Sequence, residues 1–188
     1  MLEAAKYGIS AHLRPVEEVT KDKKVQRAVL VRLQKWCGLR DRSEREARLK
    51  MREWMVKMPP GLQGSSLESL EETWIAQLHE DGFLDEKRCA ESYTRIHLVQ
   101  KGWGPLKIKA GLIARGVSSA MADEAISEIS NEQWLRKAVD LARRRRNELS
   151  SHRDRVIRWL LQRGFPQHVV WAALEAIHTD TNGGPLES

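Results

Sequence analysis

The sequence predicts an all-α protein built as three tandem three-helix units in an elongated array. Three observations carry that prediction. First, Arg-Gly occurs at 115–116 and again at 163–164, an offset of 48, and each pair divides two amphipathic helical patterns. Gly116 is followed by Val117, with Ile126 ten residues on; Gly164 is followed by Phe165, with Leu174 at the same spacing. A repeat of that length signals stacked supersecondary units, each of which hides its apolar face only against a neighbour. Second, apolar residues recur at three- and four-residue intervals along most of the chain, and no segment shows a convincing strand alternation. Third, six of the seven Trp residues are spread through candidate helices: Trp36, Trp54, Trp74, Trp134, Trp159 and Trp171. Such spacing is expected if each small unit has its own core anchor.

Residues 1–21 lack clear periodicity and are expected to form a loosely ordered arm. The first unit, 22–82, opens with a helix from about Asp22 to Cys37, where Val25, Val29 and Leu33 stack and Trp36 extends the face. Gly38 ends it. Ser43 with Glu46 is a capping-box pattern, in which each side chain satisfies the other residue's free amide. The second helix carries Ala47, Met51, Trp54, Met55 and Met58 on its apolar stripe. Its other face alternates Glu46, Lys50, Glu53 and Lys57, read as a ladder of solvated ion pairs. Pro59-Pro60 stops this helix. After a loop at 61–66, Ser69 with Glu72 opens a third helix bearing Leu70, Trp74, Ile75 and Leu78.

The second unit, 83–129, begins with a long helix from Asp85 to Gln100, with Cys89, Tyr93 and Ile96 on one face. Pro105 suits the start of the next helix, because its missing amide would be unpaired there anyway. Ile108 and Leu112 face inward and Gly116 provides a left-handed cap. Gly111 is out of place inside that helix, at a cost of about 1 kcal/mol relative to Ala, unless helices approach closely there. Ser118 or Ser119 caps a sixth helix with Met121, Ala125, Ile126 and Ile129. The third unit, 130–178, starts with a Ser130–Gln133 capping box, and Trp134, Ala138, Leu141 and Ala142 stripe a helix that ends in a basic run. Val156, Trp159 and Leu160 stripe the next helix, which makes Trp159 a predicted core residue. Pro166 opens the ninth and last helix, with Val169, Val170, Ala173, Leu174 and Ile177, and residues 179–188 form a mobile tail.

Charge is distributed unevenly. Of 32 Lys and Arg, ten fall within 131–165 against four acids there, and the remainder of the chain balances at 22 of each sign. The whole excess of +6 therefore lies in one stretch, which suggests a localised anionic partner surface. Cys37 and Cys89 stand alone without metal-ligand spacing and are expected to be small buried hydrophobes of a reduced protein. No signal-peptide pattern opens the chain, and its longest uncharged run, 164–174, is too short to span a bilayer. A soluble, cytoplasmic monomer that does not touch membranes is expected.

No chemistry-bearing motif emerges. There is no phosphate-binding Gly-rich loop, no Gly-x-Ser-x-Gly and no His-Glu-x-x-His, and the six His residues fall in unrelated contexts. The expectation is a protein with no catalytic residues, no metal and no cofactor. Arg143, Arg144, Arg145 and Arg146 form the most basic run. They suit a solvated helix terminus, where cations offset the macrodipole, and equally a contact surface when joined by Arg153, Arg155 and Arg158. Four consecutive arginines wrap most of the way round a helix, so at most two can serve one flat contact. Trp103, between two glycines, belongs to no stripe and reads either as a turn residue packed into the second unit or as a partner contact.

The order of these pieces resembles the RecX family, bacterial modulators of the RecA recombinase. Four stretches carry the resemblance: Asp81-Gly82-Phe83-Leu84-Asp85 with Arg88 and Ala90, Lys101-Gly102-Trp103-Gly104-Pro105 with Lys107-Ile108, Arg115-Gly116-Val117, and Arg163-Gly164-Phe165. They occur in the family's order and spacing, and the similarity runs from about residue 25 to 177. Cys89, where the family favours an aromatic, Gly111 and the Pro59–Ser66 loop depart from its pattern. The resemblance implies a curved array of three three-helix units that lies in the groove of the RecA–DNA filament or caps its growing end. It implies inhibition of ATP turnover, strand exchange and the coprotease activity of the SOS response. The RecA filament is then the expected partner, with single-stranded DNA reached through it or bound weakly. The candidate contacts are the basic run together with Arg88, Trp103 and Lys107 of the second unit. A DNA-binding helical-repeat protein acting without RecA is the alternative reading.

Overall fold

The computed structural model describes residues 16–56 and 67–182. These residues form α1 (Val16–Gly38), α2 (Glu44–Val56), α3 (Leu67–Glu80), α4 (Glu86–Ile96), α5 (Pro105–Ala114), α6 (Ser119–Ser127), α7 (Asn131–Arg143), α8 (Arg146–Ser151), α9 (Arg153–Gln162) and α10 (Gln167–Asn182). A π-helical turn, His97–Lys101, prolongs α4. No strand occurs among the described residues, so the fold is all-α.

The local signals act where the sequence places them, with instructive exceptions. Glu46 N–H donates to Ser43 Oγ, and Ser43 N–H donates to the Glu46 carboxylate, each at 3.2 Å. Ser130 and Gln133 make the same reciprocal box at α7, while Asp85 caps α4 and Ser118 caps α6. Ser69, by contrast, lies inside α3, which already starts at Leu67. Helix α1 begins by Val16, within the segment assigned to the arm, and α10 runs to Asn182, within the assigned tail. The helix expected to end in the basic run does so, at Arg143, and a short helix that was not expected, α8, follows it, making ten helices among the described residues where nine were expected. Lys57, Met58, the expected stop at Pro59-Pro60 and the expected loop at 61–66 lie outside the described residues.

Two apolar clusters form rather than three. Val29, Leu33, Met51, Trp54, Trp74, Leu78 and Leu84 make one from α1, α2, α3 and the turn after them. The other runs continuously from Ala90 through Ile108, Leu112, Trp134, Val156, Leu160 and Phe165 to Leu174, so the second and third units share a core. Trp anchors are correspondingly uneven. Trp54, Trp74 and Trp134 are buried, whereas Trp171 is 45% exposed. The expectation of a buried Trp159 is corrected: it is half-buried, with the Arg145 guanidinium 4.2 Å and the Arg163 guanidinium 4.7 Å from its ring centre. Cations rather than aliphatic side chains complete its environment, because it flanks the stripe that Val156 and Leu160 centre.

The repeated Arg-Gly pairs are joints between units. Each turn seats on the residue that precedes the second helix of the unit before it. The Arg115 carbonyl accepts from Ser43 Oγ at 2.7 Å, and the Arg163 carbonyl accepts from Gly104 N–H at 2.7 Å. At the second joint Leu106 N–H also donates to the Gly164 carbonyl at 3.0 Å. A Cβ on Gly104 would overlap the Gly164 carbonyl, and one on Gly164 would meet Lys107, so both backbones approach too closely for a side chain. Gly164 is also left-handed, at φ 86°. On the third unit the corresponding place, 48 residues beyond Gly104, is the exposed His152 in front of α9. Gly111 now has its reason: a Cβ there would strike the Tyr93 hydroxyl. The helix tolerates a poor helix former so that Tyr93 of α4 can lie against α5.

Candidate partner-binding surface

The basic run divides by function as the chain turns from α7 into α9. Arg145 turns inward, pairing with Glu148 at 3.2 Å and covering Trp159. It fastens α8 to α9. Arg143, Arg144, Arg146, Arg153, Arg155 and Arg158 are exposed. Arg155 and Arg158 lie one turn apart on α9, while Arg153 sits 5.7 Å over the Trp171 ring of α10. The break at Arg144–Arg145 is what spreads four consecutive arginines over more than one helix axis.

The three second-unit candidates make contacts at the joints between units. Arg88 donates to Asp41 at 2.8 Å and to the Gly82 carbonyl at 2.9 Å, tying α4 to the turn between α1 and α2. Hydrogen bonding to Asp41 holds its guanidinium above the usual range. Trp103 is half-buried in a column: Tyr93 stacks on His97 at 3.7 Å, His97 packs on Trp103 at 4.6 Å, and Lys107 Nζ lies 4.9 Å over Trp103. Lys107 also reaches toward the Gln162 carbonyl at 3.5 Å. Trp103 and Lys107 therefore belong to the second joint, beside the C-terminal end of α9, whereas Arg153 and Arg155 occupy its N-terminal end.

Residues with no predicted contact between units complete the first joint. Arg115 pairs with Glu46 at 2.6 Å and lies 4.7 Å over Tyr93, so the supposed solvated ladder on α2 instead supplies a joint carboxylate. Ser43 is fully buried there. Cys37 and Cys89 are free and buried, and burial pushes both thiols up to about 11, which suits packing rather than reactivity. Trp171 opens a groove of about 900 Å³ between α8 and α10, lined by Arg146, Leu149, Arg153, Leu174 and Ile177. Its signal was available: residue 171 stands outside the Val169, Val170, Ala173, Leu174 stripe. Among the described residues no group of three or more His, Cys, Asp or Glu could hold a metal ion, and no helix is long and apolar enough to cross a membrane. Around α8 to α10 the surface offers cations, the exposed Trp171 indole and an apolar trough.

A family model described as RecX, second three-helix domain, matches residues 85–126, which cover α4 to α6. The chain is 35% identical over 115 residues to regulatory protein RecX of Halorhodospira halophila, covering 59% of this chain and 70% of that protein. The chain belongs to the RecX family. Regulatory protein RecX of Escherichia fergusonii is 32% identical over 133 residues, covering 68% of this chain and 78% of that one. The crystal structure of RecX from Lactobacillus salivarius shares the fold, with TM-score 0.68 at 21% identity over 87% of this chain and 99% of that chain. The family's second three-helix domain thus coincides with the part of this chain that supplies a turn to the first joint and a seat to the second.

Proposed function

We propose that this RecX-family chain is a non-catalytic regulator that binds the RecA–DNA filament, in its groove or at its growing end, and inhibits its ATP turnover, strand exchange and SOS coprotease activity. The observation that carries the reading is the run of exposed arginines from the end of α7 to α9. The excess charge of the chain is concentrated there, and six of its arginines are exposed. A nucleoprotein filament is a long polyanion, and a face of this kind is suited to follow one. Arg145 drops out of the proposed contact; Arg143, Arg144, Arg146, Arg153, Arg155 and Arg158 remain. Arg88, Trp103 and Lys107 support the array that presents them.

The test is RecA-catalysed ATP hydrolysis on single-stranded DNA with and without the chain. Wild-type protein is expected to suppress turnover, and Arg144→Glu, Arg155→Glu and Arg158→Glu combined to relieve the suppression. Three charges are changed together because single exposed charges are often worth under about 1 kcal/mol. The matched control is Lys24→Glu, Arg27→Glu and Lys35→Glu on exposed positions of α1, which is expected to inhibit as the wild type does. Suppression should also weaken as salt rises, since the screening length is about 8 Å at physiological ionic strength and shorter above it. Equal inhibition by both triple variants at every salt concentration would remove the basic face from the mechanism. Tight duplex binding without RecA, with a steep salt slope, would favour an independent DNA-binding protein.

A further inference from the structure

The groove between α8 and α10 takes in Arg146 and Arg153 from the exposed arginines that the filament reading uses, and adds to them an apolar lining. Its floor is aliphatic, from Leu149, Leu174 and Ile177, and Trp171 stands in its wall with 45% of its surface exposed. An indole that open is unlike the other Trp side chains of this protein, which are buried or half-buried. Arg146 flanks the α8 side, and Arg153 reaches over the indole face. No acid among the described residues pairs with either of these arginines. The α10 rim carries Glu175 and His178.

We infer that this groove is a docking site for a short acidic segment of a partner protein that inserts one large apolar side chain against Trp171. The inference deepens the filament reading, on which it rests for the partner being a protein, and gives that contact a defined anchor. Charge complementarity selects the occupant: two unpaired guanidinium groups at the lip call for carboxylates, and the aliphatic floor calls for an apolar anchor. A single strand of nucleic acid fits less well. Base stacking along a strand uses successive aromatic platforms on a cationic track, whereas this groove has one aromatic, an aliphatic floor and the Glu175 carboxylate on its rim. Anchored recognition of this kind concentrates binding energy in an aromatic and an arginine, the residue types that dominate protein interfaces.

The test uses the full chain and a panel of short fluorescein-labelled acidic peptides, each with a single Leu, Phe or Trp, read by anisotropy. The Trp171 indole N–H resonance, assigned by its loss in Trp171→Phe, reports the site. At least one anchored peptide is expected to bind and move that resonance, and its analogue with Ser for the anchor to lose binding. Trp171→Ala, and separately Arg146→Glu with Arg153→Glu, should weaken binding by about tenfold or more, with helical circular dichroism retained because these positions are exposed. Failure of every peptide to bind, or equal binding by the variants, overturns the inference. So does an oligothymidylate that displaces the peptide and shifts the same resonance, which would assign the groove to nucleic acid. The ATPase assay separates this inference from the filament reading. If the wild type inhibits and Trp171→Ala inhibits equally, the groove is wrong and the reading stands. If peptides dock but the wild type leaves turnover unchanged, the groove stands and the reading fails.

Discussion

The two joints dock the same turn onto the same place in the preceding unit, yet they are made of different chemistry. Between the first and second units the contacts run through side chains: the Ser43 hydroxyl to the Arg115 carbonyl, Arg115 to Glu46, and Arg88 to Asp41. Separate apolar clusters lie on either side. Between the second and third units backbone meets backbone, through Gly104 N–H to the Arg163 carbonyl and Leu106 N–H to the Gly164 carbonyl. One apolar cluster runs straight across that joint. A side-chain joint has rotamers, water access and titratable groups, and it degrades gradually when altered. The second joint also has side-chain contacts, such as Lys107 to the Gln162 carbonyl, but its closest approach is backbone on backbone and is governed by steric fit. The first unit is therefore held as a polar attachment, while the second and third are packed as one body.

Breaking the backbone joint should have the largest effect. Gly104→Ala places a methyl group on the Gly164 carbonyl, where no flexible atom can yield, so a loss of about 3 kcal/mol or more is expected from overpacking. Denaturant unfolding of the variant measures it; a loss under about 1 kcal/mol would mean that the turn can retreat. Next comes Trp159→Ala. Its ring packs beside the shared cluster under two guanidinium groups, and a loss of about 2 kcal/mol is expected rather than the 3–5 kcal/mol of a fully buried aromatic. A loss in the higher range would show that Trp159 behaves as core despite its exposure.

The side-chain joint should yield less. Ser43→Ala removes both the cap of α2 and the donor to Arg115, at about 1–2 kcal/mol. Hydrogen exchange should rise in residues 41–47 and 115–117 while the amides of Gly104 and Leu106 remain protected. Equal loosening at both joints would refute their independence. The smallest effect concerns acid. Burial tends to raise the Asp41 carboxyl, but hydrogen bonds from Arg88 and Ser92 and the charges of Arg88 and Arg95 outweigh it, and the folded-state value is lowered. A depressed folded value means that the clasp contributes fully above the unfolded carboxylate range. Its contribution is lost as the pH falls from about 4 through the lower folded value. For a partly exposed ion pair this is about 1 kcal/mol at most. Asp41→Asn should remove the pH dependence of exchange around residues 82–88 without altering the second joint.

How much was legible follows the range of the interaction. Ser43 with Glu46, Ser130 with Gln133, and Asp85 before α4 cap their helices as their spacing foretells, because a cap is satisfied within three residues of chain. The stripes of α2, α7 and α10 likewise name their buried members. Termini are less secure: α1 starts before Asp22 and α3 before Ser69, since a helix held by packing does not need the capping residue at the expected place. Trp159 and Trp171 were misplaced because a residue flanking a stripe is buried or bare according to what lies opposite it.

The sequence by itself determined that the chain is helical, that it repeats, where most helices stop and where its excess charge lies, because each depends on neighbours one turn away or on composition alone. Tertiary structure decided what the Arg-Gly repeat is for. Ser43 and Arg115 are 72 residues apart and Gly104 and Gly164 are 60 apart, and no local rule links them. It likewise turned Glu46 from a solvated face into a joint, gave Gly111 its reason in the Tyr93 hydroxyl, and set Arg145 over the Trp159 ring. Each outcome was fixed by which atoms approach within a few ångströms after the helices pack, a distance that spacing along the chain does not encode.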